Sequence, residues 1–242
     1  ATIFGDARLH IHPSAKVYPG VTLDLEHGPI VIDEHAVIRP GAIVIGPVFV
    51  GAHATINEHA TIRGQTSIGP WCKVGGEVSG TIFQALSNKG HDGYLGDSVL
   101  GEWCNLGADT NNSNLKNNYS EVKLWSHATR RFEPTGLQFC GLIMGDHSKA
   151  GINTMFNTGT VVGVGCNVFG AGYPRNFIPS FAWGGILGYQ TWRLGDIFET
   201  AQNVMSRRGV VFNDLDRAIF TKIFDQTSLD RTWERRAEAS SN

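Results

Sequence analysis

Ile32–Val74 reads IDEHAVIRPGAIVIGPVFVGAHATINEHATIRGQTSIGPWCKV. In this stretch an aliphatic residue returns at every sixth position, and the residue two places before it is nearly always small. The aliphatic positions are Ile32, Ile38, Val44, Val50, Ile56, Ile62, Ile68 and Val74. Side chains alternate between the two sides of a strand, so both positions of a unit face inward and the residue between them faces outward. A six-residue period is typical of a parallel β-helix in which three units form one triangular coil.

The same spacing continues on both sides of this stretch. Ile11, Val17 and Leu23 precede it, with one shift of frame in the loop near Glu26–Pro29. After an interruption, the pattern returns at Leu100, Leu106, Met144, Ala150, Phe156, Val162 and Val168. An amphipathic α-helix would place apolar residues three and four apart, and this pattern does not. We therefore predict an all-β fold with a parallel β-helix domain over residues 1–181.

Two further segments leave the repeat. Residues from Glu121 to Gln138 predict a β-hairpin, inserted at about 119–138. Residues 182–242 predict a C-terminal extension with helices at Leu194–Arg208 and Asn213–Phe224. The predicted inward residues are Ile197, Phe198, Ala201, Val204 and Met205 on the first helix and Leu215, Ala218, Ile219 and Phe224 on the second. We expect these helices to cover the open end of the solenoid, and Arg231–Asn242 to fray.

The composition excludes several classes of protein. Of 242 residues, 41% are hydrophobic and only 17% are charged, which favours a buried core over disorder. A formal net charge of −2 gives no electrostatic basis for binding nucleic acid. Apolar runs such as Ile43–Ile45 are far too short to span a membrane, and no basic-then-apolar leader opens the sequence. The four cysteines lack CxxC spacing, which favours reduced, buried thiols in a cytoplasmic protein.

A polar stretch from Glu77 to Asn114 interrupts the repeat. Its polar residues are Glu77, Lys89, His91, Tyr94, Asn105, Asp109, Asn111, Asn112 and Asn114. A strictly periodic chain that leaves its period usually does so at a functional site. We interpret the repeats as a scaffold and this stretch as a catalytic cleft. His91 is the candidate base, because a neutral imidazole can accept a proton at cellular pH.

Residues 90–114 read GHDGYLGDSVLGEWCNLGADTNNSN, and residues 143–163 read IMGDHSKAGINTMFNTGTVVG. With the six-residue repeats, this text resembles the acyltransferase half of the bifunctional UDP-N-acetylglucosamine pyrophosphorylase/glucosamine-1-phosphate N-acetyltransferases, and in detail a GlmU-like branch of sugar nucleotidyltransferases. The resemblance covers most of Ile32–Phe181. It implies a left-handed helix and a homotrimer with active sites between subunits. It also implies acetyl transfer from acetyl-CoA to an amino-sugar phosphate such as glucosamine 1-phosphate, in nucleotide-sugar biosynthesis.

The resemblance also assigns roles to single residues. The family's catalytic base is a histidine followed by a tyrosine three residues later and by asparagines 14 and 23 residues later, a spacing that His91, Tyr94, Asn105 and Asn114 match. The match implies that His91 is the base. It implies that the tyrosine and the two asparagines bind the substrate.

Further positions match or depart from the family pattern on the neighbouring coils. Arg63 stands where the family has an arginine that holds the sugar phosphate, and Glu77 matches a glutamate near the acceptor. We expect Glu77 to orient the catalytic imidazole or to bind the acceptor. Ser79 stands where the family has a substrate-binding lysine, and Lys116 and Lys123 are candidate substitutes for a second lysine beyond the last asparagine. These departures leave the acceptor sugar open.

The CoA site is implied by the same resemblance. The CoA arm would lie along the side of the helix near Ala108, Gly151 and Gly170, whose small side chains allow contact with the backbone. Arg175 is the candidate partner of a CoA phosphate. The sequence alone also permits these glycines to be turn residues and Arg175 to be a surface residue.

Two alternative functions remain open at this point. One is a catalytically inactive trimerisation or regulatory module of a sugar nucleotidyltransferase, which Ser79 favours. The other is a metalloenzyme similar to the γ-class carbonic anhydrases, which use three histidine ligands on the same kind of helix. His35 and His53 are 18 residues apart and His59 is nearby, but all three occupy the same turn position of the repeat. The repeat accounts for these histidines, so no bound metal is expected.

Overall fold

Three parallel sheets surround one core in the computed structural model, which describes residues 1–234. The first face contains β1 (Thr2–Phe4), β4 (Thr22–Asp24), β7 (Ile43–Ile45), β10 (Thr61–Ile62), β13 (Glu77–Ser79) and β16 (Tyr94–Gly96). Each of these strands pairs with the next in parallel. β19 (Asn111–Asn112) and β24 (Met155–Phe156) form a further parallel pair. The chain therefore returns to this face once in every coil.

The other two faces are longer. The second face contains β2 (Leu9–Ile11), β5 (Ile30–Ile32), β8 (Val48–Val50), β11 (Thr66–Ile68), β14 (Ile82–Phe83), β17 (Val99–Leu100), β22 (Ile143–Met144), β25 (Val161–Val162) and β27 (Phe177–Ile178). The third face contains β3 (Lys16–Val17), β6 (Val37–Ile38), β9 (Thr55–Ile56), β12 (Lys73–Val74), β15 (Asn88–Lys89), β18 (Asn105–Leu106), β23 (Lys149–Ala150), β26 (Asn167–Val168), β28 (Ala182–Gly185) and β29 (Gly188–Thr191). Among the described strands of these two faces, only β29 runs antiparallel to its neighbour. The predicted β-helix of parallel strands is confirmed.

The repeat supplies the core. All eight aliphatic positions from Ile32 to Val74 are fully buried, and they belong to one continuous cluster. The small residues two places earlier, such as Ala36 and Ala54, are fully buried as well. Each buried aliphatic side chain contributes about 1.5–3 kcal/mol relative to an exposed one. Stacking these positions from coil to coil is therefore the main source of stability in the solenoid.

The solenoid continues through the polar stretch. Val74 pairs with Lys89 and Val78 pairs with Leu95, so the coils here hold fewer than 18 residues but keep their strand pairing. The coil that follows is lengthened by an insertion, because Leu100 pairs with Met144. The interruption in the sequence is thus a change of coil length, and the ladder of strands is unbroken.

The predicted hairpin is confirmed. β20 (Lys123–Ser126) and β21 (Arg131–Pro134) pair in antiparallel fashion within the insertion. Trp125 of the hairpin stacks on Phe177 of the second face, with ring centroids 4.1 Å apart. The hairpin therefore folds back over the C-terminal end of that face.

Two helices follow the solenoid, as predicted. α1 spans Leu194–Ser206 and α2 spans Asp214–Gln226, followed by a short 3-10 helix, η1, at Ser228–Asp230. Asn213 caps α2 by accepting hydrogen bonds from the backbone of Leu215 and Asp216. Within the described part of the chain, no helix is long and apolar enough to cross a membrane.

The inward face predicted for α2 was right for Phe224, which packs against Phe181, but wrong for the residues of its first turns. Leu215 and Ile219 are 67% and 49% exposed, and Phe220 is the buried residue of this helix. On α1 the prediction was better, since Ile197, Ala201 and Met205 are buried. The residues that determined α2's orientation lie on the solenoid, where the helix periodicity alone could not locate them.

Both helices pack against one corner of the solenoid. Their buried residues form a cluster with Trp103, Phe181 and Trp192, and Leu86 and Val164 pack at its edge. The helices thus lie along the side of the solenoid as well as near its last coil. At the last coil, Tyr189 of β29 and Trp233 pack against the main core.

The expectation that the chain frays from Arg231 was wrong for its first residues. Arg231 is 1% exposed, and its guanidinium donates hydrogen bonds to Glu234 and to the carbonyl of Phe224. The guanidinium also lies over the Phe224 ring, 3.8 Å from the centroid. Residues 235–242 lie outside the described residues, and the division of the chain at residue 181 stays a prediction.

Candidate functional site

His91 lies at the corner between the third and first faces. β15 ends at Lys89 and β16 begins at Tyr94, so Gly90–Gly93 form the turn, which we call the His91 corner. The side chain of His91 is exposed. Gly93 has a φ of +114°, and a Cβ there would lie 2.2 Å from the carbonyl oxygen of Thr110 on the next coil. This corner therefore requires glycine, which explains one of the two glycines that flank His91.

A cleft of about 810 Å³ opens beside His91, between the third face and the end of α1. Its charged lining consists of Lys73, Lys149, Arg207 and Arg208. Its amide lining consists of Asn57, Asn88 and Asn105, and Ala108 and Ile152 also contribute. Among the described residues, no carboxylate lines this cleft. We call it the basic cleft, because its charge suits an anionic ligand.

Burial changes the chemistry of one of these cations. Lys149 lies at the outward position of β23 but is covered by its surroundings, and burial lowers the pKa of its ammonium group. Its Nζ donates to the carbonyls of Trp103 and His147, each at 3.4 Å. Arg208 is tied to the third face, since its Nη2 donates to Asn88 Oδ1 at 3.5 Å. Helix α1 is therefore held against the strand that leads into the His91 corner.

The first face carries a second polar group of residues. Arg63 Nε donates to Glu77 Oε1 at 2.7 Å, and Glu77 pairs with Tyr94 on the next strand. Asn114 Nδ2 donates to Tyr94 Oη at 2.9 Å and to Asp97 Oδ2 at 2.6 Å. These five side chains extend from one coil to the next across the outside of the first face.

The hydroxyl of Tyr94 is partly buried and lies near two carboxylates. Burial raises the pKa of its hydroxyl, and the nearby carboxylates of Asp97 and Glu77 raise it further. Gly96 makes room for the ring, because a Cβ at that position would lie 2.2 Å from Tyr94 Oη. Tyr94 is therefore a neutral hydrogen-bonding group in a fitted place, with its hydroxyl held by Asn114.

The structure divides the residues predicted from the sequence into two groups. His91, Asn105 and Ala108 line the basic cleft. The second group, Arg63, Glu77, Tyr94 and Asn114, lies on the first face. The His91 corner joins the strands of the two groups, so the histidine stands at their boundary.

The remaining predicted residues lie elsewhere. Gly151 sits beside cleft residue Ile152, and a Cβ on it would touch Phe169 at 3.1 Å. Gly170 borders a separate depression near Trp183. Arg175 lies by Tyr189 and the hairpin residue Trp125. Gly170 and Arg175 therefore do not line the basic cleft.

Sequence reasoning missed the contribution of α1 to the cleft. Arg207 and Arg208 follow α1, and the helix was predicted without reference to the polar stretch. The only signal was their position at a helix C-terminus, where cations are often found. Lys73 and Lys149 occupy outward positions of the third face, where a lysine is expected simply to face solvent, so the sequence gives no sign of a cleft there.

The histidines considered for metal binding occupy corners of the solenoid. His35 and His53 have positive φ angles of 53° and 58° and stack with ring centroids 4.9 Å apart. His53 then stacks on Trp71 at 4.1 Å. Within residues 1–234, no group of three or more histidine, cysteine, aspartate or glutamate side chains could hold a metal ion. All four cysteines are buried and free, and burial raises their pKa values.

Comparisons with known proteins give only distant likenesses. No protein-family model matches the chain, and no curated protein sequence does either. A solved UDP-N-acetylglucosamine acyltransferase from Campylobacter jejuni shares 16% identity over 88% of this chain and 82% of that chain, with a TM-score of 0.32. The polySia-specific acetyltransferase NeuO shares 10% identity over 78% of this chain and 84% of that chain, with a TM-score of 0.30.

A third solved structure is a GDP-perosamine N-acetyltransferase from Caulobacter crescentus, in complex with CoA and GDP-perosamine. It shares 16% identity over 76% of this chain but only 56% of that chain, with a TM-score of 0.18. All three proteins are acyl- or acetyltransferases by name. At these identities and TM-scores the likenesses carry no argument about the reaction of this chain. The resemblance to the bifunctional GlmU-like family stays a prediction.

Proposed function

We propose that the chain is a CoA-dependent N-acyltransferase that acetylates an amino-sugar phosphate such as glucosamine 1-phosphate, with His91 as general base. The observation that carries the proposal is the basic cleft. It places an exposed histidine beside four cationic side chains and three amides, with no carboxylate among the described lining residues. CoA and sugar phosphates are both polyanions, and lysine and arginine are the side chains that bind phosphate.

The chemistry follows from the position of His91. The sugar ammonium group first releases one proton to solvent, and the neutral imidazole accepts a second proton from the amine nitrogen as it attacks. The amine nitrogen then bonds to the thioester carbonyl carbon, and the carbon–sulfur bond breaks as the thiolate leaves. The imidazolium returns its proton to the thiolate, which restores the base. The Asn105 side chain is available to donate to the carbonyl oxygen as negative charge develops on it.

The two groups of polar residues suit two substrates. The basic cleft, with Ala108 and Asn105, is assigned to acetyl-CoA. On the first face, Tyr94 and Asn114 are assigned to the sugar, and Arg63 to its phosphate. Since Arg63 already pairs with Glu77 at 2.7 Å, we expect the phosphate to compete with that carboxylate. Glu77 would then be released toward the acceptor amine.

The CoA arm is expected to continue beyond the cleft. Gly151 lies one coil further along the solenoid, next to cleft residue Ile152. Gly170 and Arg175 lie later still in the chain, near the last coils. We assign them to the distal part of CoA. By the same proposal the chain is a cytoplasmic part of a GlmU-like enzyme of nucleotide-sugar biosynthesis.

An arginine variant tests the cleft. We expect Arg208→Glu to weaken CoA binding by roughly tenfold to a hundredfold, because a charged hydrogen bond contributes about 1.5–3 kcal/mol. Isothermal titration of the full chain with CoA measures this effect. Arg193→Glu is the matched control, since Arg193 is exposed at the other end of α1. Equal CoA affinity in the Arg208 variant and in the wild type would contradict the assignment.

A homotrimer belongs to the same proposal, and the second face supports it. The outward residues of its strands stack in one column: His10, Val31, Phe49, Ser67, Ile82, Val99, Ile143, Val161 and Phe177. Seven of these nine positions are apolar, and Phe49 and Ile82 are 38% and 48% exposed. The matching column on the third face is mostly polar, with Lys73, Asn88, Asn105 and Lys149 in succession. The hairpin covers the column at Phe177, and the apolar part before it, from Val31 to Ile143, favours contact with another copy.

Substituting lysines into this apolar column of the second face is expected to dissociate the oligomer. The double variant Phe49→Lys/Ile82→Lys should elute as a monomer, because an unpaired charge in an apolar interface costs several kcal/mol. Size-exclusion chromatography with light scattering gives the mass. Leu215→Lys is the control, since Leu215 is 67% exposed on α2. A wild-type monomer, or an unchanged mass in the double variant, would contradict the trimer.

One residue favours a second candidate function. Ser79 stands on β13 where the resembling family has a substrate-binding lysine, and a non-catalytic trimerising module would not need that lysine. Thiol release from acetyl-CoA in the presence of amino-sugar phosphates distinguishes the two functions. Turnover with any of these acceptors supports the transferase. A purified trimer that binds CoA but releases no thiol with any of them supports the module.

A further inference from the structure

Lys89 occupies a position that the fold reserves for aliphatic residues. It pairs with Val74 on the preceding coil, and Leu106 takes the same inward position on the following coil. Lys89 is only 1% exposed, as deeply buried as its aliphatic neighbours. A charge in such a place costs several kcal/mol unless it is well hydrogen-bonded. A leucine would fit the column without this cost.

The ammonium group of Lys89 donates hydrogen bonds to two backbone carbonyls. Its Nζ donates to the carbonyl oxygen of His91 at 2.6 Å and to that of Gly75 at 3.1 Å. These two carbonyls belong to the same corner on successive coils. Burial lowers the pKa of Lys89 to about 8, and the carboxylates of Asp92 and Asp109 oppose this shift. The lysine is therefore charged at neutral pH.

The His91 corner stacks on a shorter corner of the preceding coil. The chain takes four residues from Val74 to Val78 but six from Lys89 to Leu95, although each pair spans the same two faces. Six residues is also the spacing from Ile56 to Ile62 at this corner, so the corner below is the shortened one and the turn that carries His91 stacks on fewer residues. Asn57 supplies a second tether, since its Nδ2 donates to the carbonyl of Gly90 at 2.8 Å. Both bonds hold backbone of the turn that carries His91.

We propose that Lys89 is a positioning residue that fixes the His91 corner from inside the core, so that the imidazole faces the basic cleft. The functional part of this inference rests on the proposed role of His91 as the base. The structural part does not, because it concerns the rigidity of Gly90–Gly93 alone. A buried cation that replaces an aliphatic residue thus has a local purpose.

Hydrogen exchange tests the tether directly. In Lys89→Met and Lys89→Leu, we expect amides of the segment 90–94 to exchange at least tenfold faster, measured by mass spectrometry on the full chain. Strands of the second face such as Val48–Val50 should keep their protection. Both variants should fold, because their side chains match Val74 and Leu106 in the column. Ile38→Met is the control, since it alters the same buried column three coils earlier.

Kinetics then separates the tether from the transferase proposal. If the wild type is active, the Lys89 variants should lose at least tenfold in kcat while KM for acetyl-CoA changes less than twofold. Unchanged exchange at 90–94 would overturn the tether, whatever the activity. Faster exchange with wild-type kcat would overturn positioning of the base. A wild type without activity, but with faster exchange in the variants, would overturn the proposed function and leave the tether established.

Discussion

A His91→Ala variant is expected to lose roughly 10²–10⁴-fold in kcat for thiol release from acetyl-CoA, the usual contribution of a positioned general base. Binding should change little, because the cationic side chains that surround the cleft remain. KM for acetyl-CoA and the affinity for CoA should therefore stay within about threefold of the wild type. The expected signature is a loss of turnover without a loss of binding.

The control for this experiment is another exposed histidine. His27 lies in a turn between β4 and β5, well before the polar stretch, so His27→Ala should keep wild-type turnover. Circular dichroism should show that both variants fold. Full turnover in His91→Ala would remove His91 as the base and with it the main support for the proposed reaction.

The second large effect concerns stability in acid and centres on His147. This residue is 8% exposed, and its ring stacks near Trp103 at 5.9 Å and meets the edge of Phe220 at 5.1 Å. Burial, together with the charge of Lys149, lowers the pKa of His147 to about 3. An unfolded histidine has a pKa of about 6.5. Between these values the unfolded chain binds a proton that the folded chain does not.

The sign of the pH dependence follows from this difference. As pH falls below about 6.5, His147 makes the free energy of unfolding smaller, and its full effect is reached near pH 3. The total loss from this one group is on the order of 5 kcal/mol. His147→Phe keeps the aromatic contacts and removes the titration. We expect the variant to lose about 2 kcal/mol less than the wild type between pH 7 and pH 4.5.

Urea unfolding at the two pH values measures this difference. The comparison is between the variant and the wild type, so the contributions of carboxylates and of the other histidines to the loss of stability cancel. His27→Phe serves as the control, because it makes the same substitution at an exposed histidine. An identical loss of stability in His147→Phe and in the wild type would contradict the buried, neutral state of His147.

The solenoid could be predicted because its core residues recur at every sixth position of the sequence. Each aliphatic position from Ile32 to Val74 has the same environment in every coil, so local sequence and tertiary contact agree. The hairpin and the start of α2 at Asn213 were predictable for a similar reason, since turn and capping chemistry are local. The residues of the predicted site were identified from the resemblance to the GlmU-like family, and the six-residue repeat alone does not identify most of them.

The rest depended on contacts between distant parts of the chain. Phe220, and not Leu215, is the buried residue of α2, because the corner of the solenoid presents Phe181 and His147 at that place. Lys89 was counted among the polar groups of a cleft, although it points into the core. Its inward direction follows from the shortened coil before it, and the sequence alone does not reveal that shortening. The arginines after α1 reach the cleft for the same long-range reason.

The packing of the helices on one corner has a consequence for how the protein unfolds. Stacked coils contact only their neighbours, so such arrays tend to lose structure stepwise from an end or at a weak junction. Here the hairpin insertion separates the two coils of Leu86 and Trp103 from the later coils of Val164 and Phe181 in the sequence, and one helical cluster contains or contacts all four residues. The helices therefore link coils that are not adjacent. We expect the solenoid on both sides of the insertion to melt in a single cooperative transition.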